Sequence, residues 1–269
     1  ITDVGEGVTD FEVGDRVATC FFENWTGGAI SPTAMNTALG GARPGVLARS
    51  VNLASTGVIH APAHLSPEEV STLPCAALTA WHALTEPRVN APGETVLILG
   101  TGGVSVFAQQ FCRLMGAQTI VTSSSDAKLA RMRELGANHC VNYANTPDWE
   151  AAVLDLTGGA GVDRVIEVGG PGTLERSITS VKVGGTIALI GILTGPGGTM
   201  RPTDLMRKSI TLRGIYVGPR EMFAAMNRAI EAHELRPVID ARIPFERAPE
   251  AYRTMRDATH FGKLVIRST

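Results

Sequence analysis

The sequence predicts an α/β protein: a doubly wound parallel sheet covered by helices, plus a β-rich region assembled from the two ends of the chain. Three observations carry that prediction. From residue 94 onward, six short runs of Val, Ile and Leu alternate with stretches of helical period. Those runs show little polar alternation, as strands buried on both faces do. The first run also enters a glycine-rich turn, "GTGGVS" at 100–105, that opens into an amphipathic helix.

The elements follow in order. Residues 1–65 hold short apolar runs broken by Gly, Pro and Asn ("RVATCFF", "GVLARSVNL", "GVIHAP"), which is strand-and-loop composition. "SPEEVSTLPCAALTAWHAL", residues 66–84, then changes character. Ser66 is a good helix N-cap, Pro67 suits the first helical position, and Glu68 and Glu69 complement the positive end of the helix dipole. Strands are expected at 95–100, 118–123, 139–143, 162–168, 185–192 and 209–217. Val104, Phe107, Ala108, Phe111, Leu114 and Met115 give the first intervening helix its apolar face, and Leu129, Met132 and Leu135 mark the second. Six strands with intervening helices form a Rossmann-type sheet. The tail reads as a helix from "GPREMF", the segment "VIDARIPF", a short helix and the strand "GKLVIR", expected to pair back onto the N-terminal β region.

Composition excludes several functions. With 24 Lys and Arg against 26 Asp and Glu, the net charge of −2 offers no footprint for nucleic acid or an anionic membrane. At 44% hydrophobic residues and 30 glycines in 269, the chain is folded and rich in tight turns. No apolar run approaches the roughly 18 residues that span a bilayer. The cysteines, at 20, 75, 112 and 140, fit neither a disulfide framework nor a CxxC zinc site, which points to a reducing, cytoplasmic setting.

The glycine turn nearly spells GxGxxG, with Ser105 in the third place. Gly100 permits the sharp turn, Gly102 lets the backbone approach a pyrophosphate, and Gly103, Val104 and Ser105 open the helix whose N-terminus favours that anion. Serine is small enough for the third position, and its hydroxyl can bond back to a backbone carbonyl. The competing reading is a strand–turn–helix with no ligand. The next strand ends in "SSSDAK", residues 123–128, where an NAD site places a carboxylate for the ribose 2′-hydroxyl. Ser123 stands there instead, followed by Ser124 and Lys128; hydroxyls plus a cation suit a 2′-phosphate. This favours NADP(H) over NAD(H). In the rival reading Asp126 is the ribose acid; it also suits a helix N-cap or first turn.

Five stretches together resemble the medium-chain dehydrogenase/reductases: "VGEGVTDFEVGDRV" (4–17), "LSPEEVSTLPCAALTAWHAL" (65–84), "VLILGTGGVS" (96–105), "ARMRELGANHCVNY" (130–143) and "HFGKLVI" (260–266). The likeness is strongest to zinc-independent alcohol dehydrogenases and quinone oxidoreductases. It implies a GroES-like catalytic domain at 1–75, a Rossmann domain at 76–216 and a return to the catalytic domain at 217–269, in a homodimer acting on a small molecule. By resemblance, Thr79 and Gly102 to Ser105 contact the nicotinamide and pyrophosphate. Ser123, Lys128 and Tyr143 surround the adenosine 2′ position, and Val168, Gly191 and Ile192 line the nicotinamide ribose. Tyr143 and Val168 also read as ordinary packing residues.

The chain departs from the family in instructive places. It opens at Ile1, and the segment expected before "VGEGV", with its zinc ligands and proton-handling residue, is absent from the sequence. The structural-zinc cysteine lobe is absent too. Cys75 falls where classical members place a third catalytic-zinc ligand, yet it reads better as a buried cysteine on an apolar helix, with His82 packed or facing solvent. Phe21, Phe22 and Trp25 suit either a substrate wall or a small core. The expectation is an NADP(H)-preferring, zinc-free oxidoreductase acting on an alcohol, carbonyl, quinone or enone, with no catalytic residue identifiable. Its rival is a non-catalytic NADPH-binding sensor or structural protein.

Overall fold

The structure is a computed structural model that describes residues 1–267. The chain forms two compact units, Ile1–Leu78 with Val217–Thr269, and Thr79–Tyr216.

In the first unit, β1 (Val17–Thr19) pairs antiparallel with β2 (Val58–His60). The short helix α1 (Pro32–Met35) lies between them in sequence. "GVLARSVNL" forms no strand; it belongs to a largely exposed loop. That loop is held by Glu23, which is buried and accepts from Arg43 Nη1 at 2.5 Å and from the Ala54 backbone N–H at 2.8 Å. Phe22 and Trp25 are buried, with ring centroids 5.7 Å apart in an edge contact, so they make a small core.

Ser66 caps α2 (Pro67–Val70) through a capping box with Glu69, as the sequence predicts. The helix does not run through to residue 84. Pro74 lacks a backbone donor, and a π-helical turn at Leu73–Ala77 separates α2 from α3 (Leu78–Thr85). This break puts Cys75 on the surface and not in an apolar core, which corrects the sequence expectation. His82, by contrast, is packed inside.

The second unit is a six-stranded parallel sheet. Its strands are β3 (Thr95–Leu99), β4 (Gln118–Ser123), β5 (His139–Asn142), β6 (Val162–Glu167), β7 (Val181–Leu189) and β8 (Thr211–Gly214). The helices α4 (Gly103–Leu114), α5 (Asp126–Glu134), α6 (Trp149–Leu156), α7 (Pro171–Ser180) and α8 (Pro202–Lys208) connect them. The order β5-β4-β3-β6-β7-β8 reverses direction between β3 and β6, the switch point of a doubly wound sheet. Leu97 and Leu99 join Trp149, Val153, Leu174 and Ile178 in one core. Val96 and Ile98, alternating with them, are equally buried, so both faces are covered. On α4 the buried face includes Gln109 and Cys112, while Val104, Leu114 and Met115 are only half-buried.

The C-terminal segment adds α9 (Arg220–Ala232), β9 (Ile239–Pro244), α10 (Ala248–Arg256) and β10 (Lys263–Arg267). β10 pairs parallel with β9, not with the N-terminal strands as expected, because the α10 crossover returns the chain alongside β9. Side chains still tie this segment to the N-terminal part: Arg242 on β9 donates to the Glu68 carboxylate at 2.5 Å, and α9 adds two bonds to carbonyls of β2. Arg220 Nε donates to the Val58 carbonyl (2.9 Å) and Asn227 Nδ2 to the His60 carbonyl (3.1 Å).

Burial silences two thiols. Desolvation pushes Cys20 up to about 11 and Cys112 up to about 12. Since the thiolate is the nucleophile, iodoacetamide at pH 8 should label Cys75 first and leave Cys20 and Cys112 unmodified until the protein unfolds. Peptide mass mapping over time checks this; early labelling of Cys112 would contradict the packing of α4.

Candidate nucleotide site at the sheet switch point

The glycine turn leaves β3 at the C-terminal edge of the sheet. Gly100 has a φ of +75°, a left-handed conformation that β-carbon-bearing residues rarely adopt, and its N–H donates to the Thr122 carbonyl at 2.8 Å. Ser105 Oγ donates to the Leu99 carbonyl at 2.7 Å, closing the turn as the sequence suggested. Gly102 is the N-cap of α4, and no side chain caps it. A Cβ built on Gly102 would meet nothing within 4 Å. Gly103 and Val104 follow in the first turn, half-buried. The result is a twelve-residue helix whose first-turn amides lack intrahelical partners, with open space beside its N-cap glycine. Such an end holds an anionic group.

The end of β4 lies beside the end of β5. Ser123 pairs in register with Asn142, and the Tyr143 N–H donates to the Ser123 carbonyl at 3.1 Å. Ser123 is buried, its hydroxyl accepting from the Ser125 N–H (3.3 Å), while Ser124 and the Tyr143 side chain are exposed. Ser125, not Asp126, is the N-cap of α5 and accepts from the Lys128 N–H. Asp126 sits in the first turn, and its carboxylate accepts from Asn142 Nδ2 at 2.8 Å. Register thus sets Ser123 and Ser124 beside Asn142 and Tyr143, and Lys128 follows in the first turn of α5.

The turns after β6 and β7 form the other side of the switch point. Val168 is half-buried, and a Cβ on Gly100 would lie 4.0 Å from its Cγ2. Gly191 presses so close to Val168 that a Cβ there would sit 2.0 Å from the Val168 carbonyl oxygen. Ile192 follows, 64% exposed. Thr79 stands apart from these turns in sequence, buried in the first turn of α3.

The sequence reading missed the residue that organises this side. Glu167, fully buried at the end of β6, accepts at Oε1 from the backbone N–H groups of Gly169 (2.8 Å) and Gly170 (3.0 Å) and the Thr173 hydroxyl (2.6 Å). Its Oε2 accepts from the Ser177 hydroxyl. Its backbone carbonyl accepts from the N–H groups of Ile190 (2.8 Å) and Gly191 (3.2 Å). The visible signal is an acid that ends the apolar run "VIE", two residues before a pair of glycines.

Among the described residues no group of three His, Cys, Asp or Glu could hold a metal ion, and Lys263 lies near enough to Cys75 for their charges to interact, which disfavours a cation there. Nor is any helix of the described residues long and apolar enough to cross a membrane.

A parallel sheet with an uncapped glycine turn at its switch point defines a nucleotide-binding Rossmann protein. Residues 103–232 match the family model of zinc-binding dehydrogenases. The chain is 43% identical over 273 residues to a zinc-type alcohol dehydrogenase-like protein of Schizosaccharomyces pombe, across 99% of this chain and 79% of that one. It superposes with a TM-score of 0.93 and 40% identity on a Sinorhizobium meliloti 1021 protein assigned as an alcohol dehydrogenase, covering 99% and 78% of the two chains. A structure of an NAD-dependent alcohol dehydrogenase matches at a TM-score of 0.88 and 32% identity, covering 99% and 79%. The chain belongs to the medium-chain dehydrogenase/reductases and is alcohol dehydrogenase-like. It is an NAD(P)-dependent oxidoreductase.

Proposed function

We propose that this oxidoreductase prefers NADP(H) and acts, without zinc, on a small alcohol, carbonyl, quinone or enone. The observation that carries the reading is the open, uncapped N-terminus of α4 at the switch point, shaped for a pyrophosphate. In this reading Gly100 and Gly102 to Ser105 cradle the pyrophosphate, and Thr79, Val168, Gly191 and Ile192 bound the nicotinamide half. Ser123, Ser124, Lys128 and Tyr143 take the adenosine 2′ end. When bound, the cofactor supplies hydride chemistry, and the chain orients it and excludes water. The homodimer and the cytoplasmic setting are part of the same proposal, the second supported by four cysteines that form no disulfide among the described residues.

NADP(H) preference is supported by the end of β4, where Ser123 stands in place of a carboxylate and Asp126, in the first turn of α5, accepts at Oδ1 from Asn142 Nδ2. Ser123→Asp keeps an acceptor for the Ser125 N–H and adds a charge that repels a 2′-phosphate. Fluorescence titration should give tighter NADPH than NADH binding in the unmutated protein, erased or reversed in the variant. Equal dissociation constants in the unmutated protein would overturn the preference. Elemental analysis should also find far less than one zinc per chain, with cofactor binding unchanged by chelators. Stoichiometric zinc lost in Cys75→Ala would refute the zinc-free reading.

A further inference from the structure

Glu167 does more than terminate a strand. Its side chain and its backbone carbonyl serve two different turns, the first at Val168–Gly170 and the second at Ile190–Gly191. Thr194 latches the same pair: its N–H and its hydroxyl both donate to the Gly169 carbonyl at 2.9 Å, and its Oγ1 accepts from the Gly172 N–H at 2.8 Å. Between these anchors Val168 is held against the glycine turn, and Ile192 is held out into solvent. An exposed apolar side chain fixed between anchored neighbours is a surface made for a flat ring to cover. A desolvated carboxylate is a costly way to close a loop that neutral groups could close, which argues that rigidity at this point is functional.

We propose that Glu167 is a positioning residue: it fixes Val168 and Ile192 as the two apolar contacts of the nicotinamide ring, setting that end of the cofactor without touching it. This rests on the reading that Val168, Gly191 and Ile192 bound the nicotinamide half. It assigns a role that neither residue contacts nor burial alone would require, because the adenosine corner at Ser123 and Tyr143 is anchored independently through β4 and β5.

The test compares a whole cofactor with its adenosine half. Glu167→Asp keeps the charge but withdraws it from the turn, and Thr173→Val removes one of its donors while leaving the carboxylate. Dissociation constants for NADPH and for 2′,5′-ADP are measured on each (NADH and 5′-AMP if NADH binds tighter), alongside thermal melting. Glu167→Asp should weaken the dinucleotide about tenfold or more and leave its adenosine half within about twofold, with a smaller selective loss in Thr173→Val. Equal weakening of both ligands, or lower melting temperature with neither affinity changed, would reduce Glu167 to a structural role and overturn the proposal alone. Failure of the unmutated protein to bind either dinucleotide would overturn the underlying reading, and this one with it.

Discussion

Replacing Arg164 by alanine should lower the stability of the Rossmann unit by about 3–5 kcal/mol, the scale of a large core cavity together with polar groups left without their donor. Arg164 lies on β6 with 1% exposure, its charge disfavoured first of all by burial. It survives there because Nη1 donates to the carbonyls of Ala83 (2.5 Å) and Glu86 (2.6 Å), and Nη2 to that of Arg88 (2.8 Å). Those acceptors lie at and just beyond the C-terminus of α3, the negative end of its dipole. Alanine takes this donor from the carbonyls of Ala83, Glu86 and Arg88, the first of them buried, and leaves a cavity beside them. Arg164→Lys should recover only part of the loss, since one ammonium cannot span three carbonyls as a guanidinium fork does. Urea denaturation reads both; a loss under about 1 kcal/mol for the alanine variant would mean the network contributes little.

Gly191→Ala should cost at least about 3 kcal/mol and abolish cofactor binding, whereas Gly102→Ala should leave stability within about 1 kcal/mol and still weaken binding more than tenfold. The two glycines are needed for different reasons. At Gly191 an added Cβ would lie 2.0 Å from the Val168 carbonyl oxygen and 2.7 Å from its carbon, both backbone atoms that move only if the two turns part. At Gly102 the added methyl enters open space, so the fold tolerates it, but under the proposed function a pyrophosphate comes close there. Thermal melts with NADPH titration on both variants separate the effects. A destabilised Gly102→Ala that binds normally would reverse the assignment of the two roles.

The parallel sheet was legible in the sequence because its evidence is local. Each strand is an unbroken apolar run, each helix carries its own period, and Gly100 and Gly102 stand at fixed offsets from the strand they follow. Even Ser105 could be read, since a hydroxyl one helical turn after a strand has a nearby carbonyl to meet, and it donates to Leu99. Ser66 was legible as an N-cap for the same reason, whereas Glu69, readable as a first-turn acid, turns out to close a capping box with it as well.

Only the tertiary structure decided the rest. Arg164 and Glu167 look like interruptions in "VDRVIEV"; folded, each is fully buried and ties together backbone from segments far from β6 in sequence or on neighbouring turns. Their meaning lies in partners that no periodicity predicts. The surface position of Cys75 came from a π-helical turn at Pro74, where the apolar pattern alone suggested a continuous helix. Pairing of β10 with β9 was likewise a choice between sheet edges, which strand composition does not encode. Local pattern fixes which segments become strands and helices, because periodicity and capping act within a few residues. Which buried charges are satisfied, and by whom, depends on carbonyls and amides that only folding brings within reach.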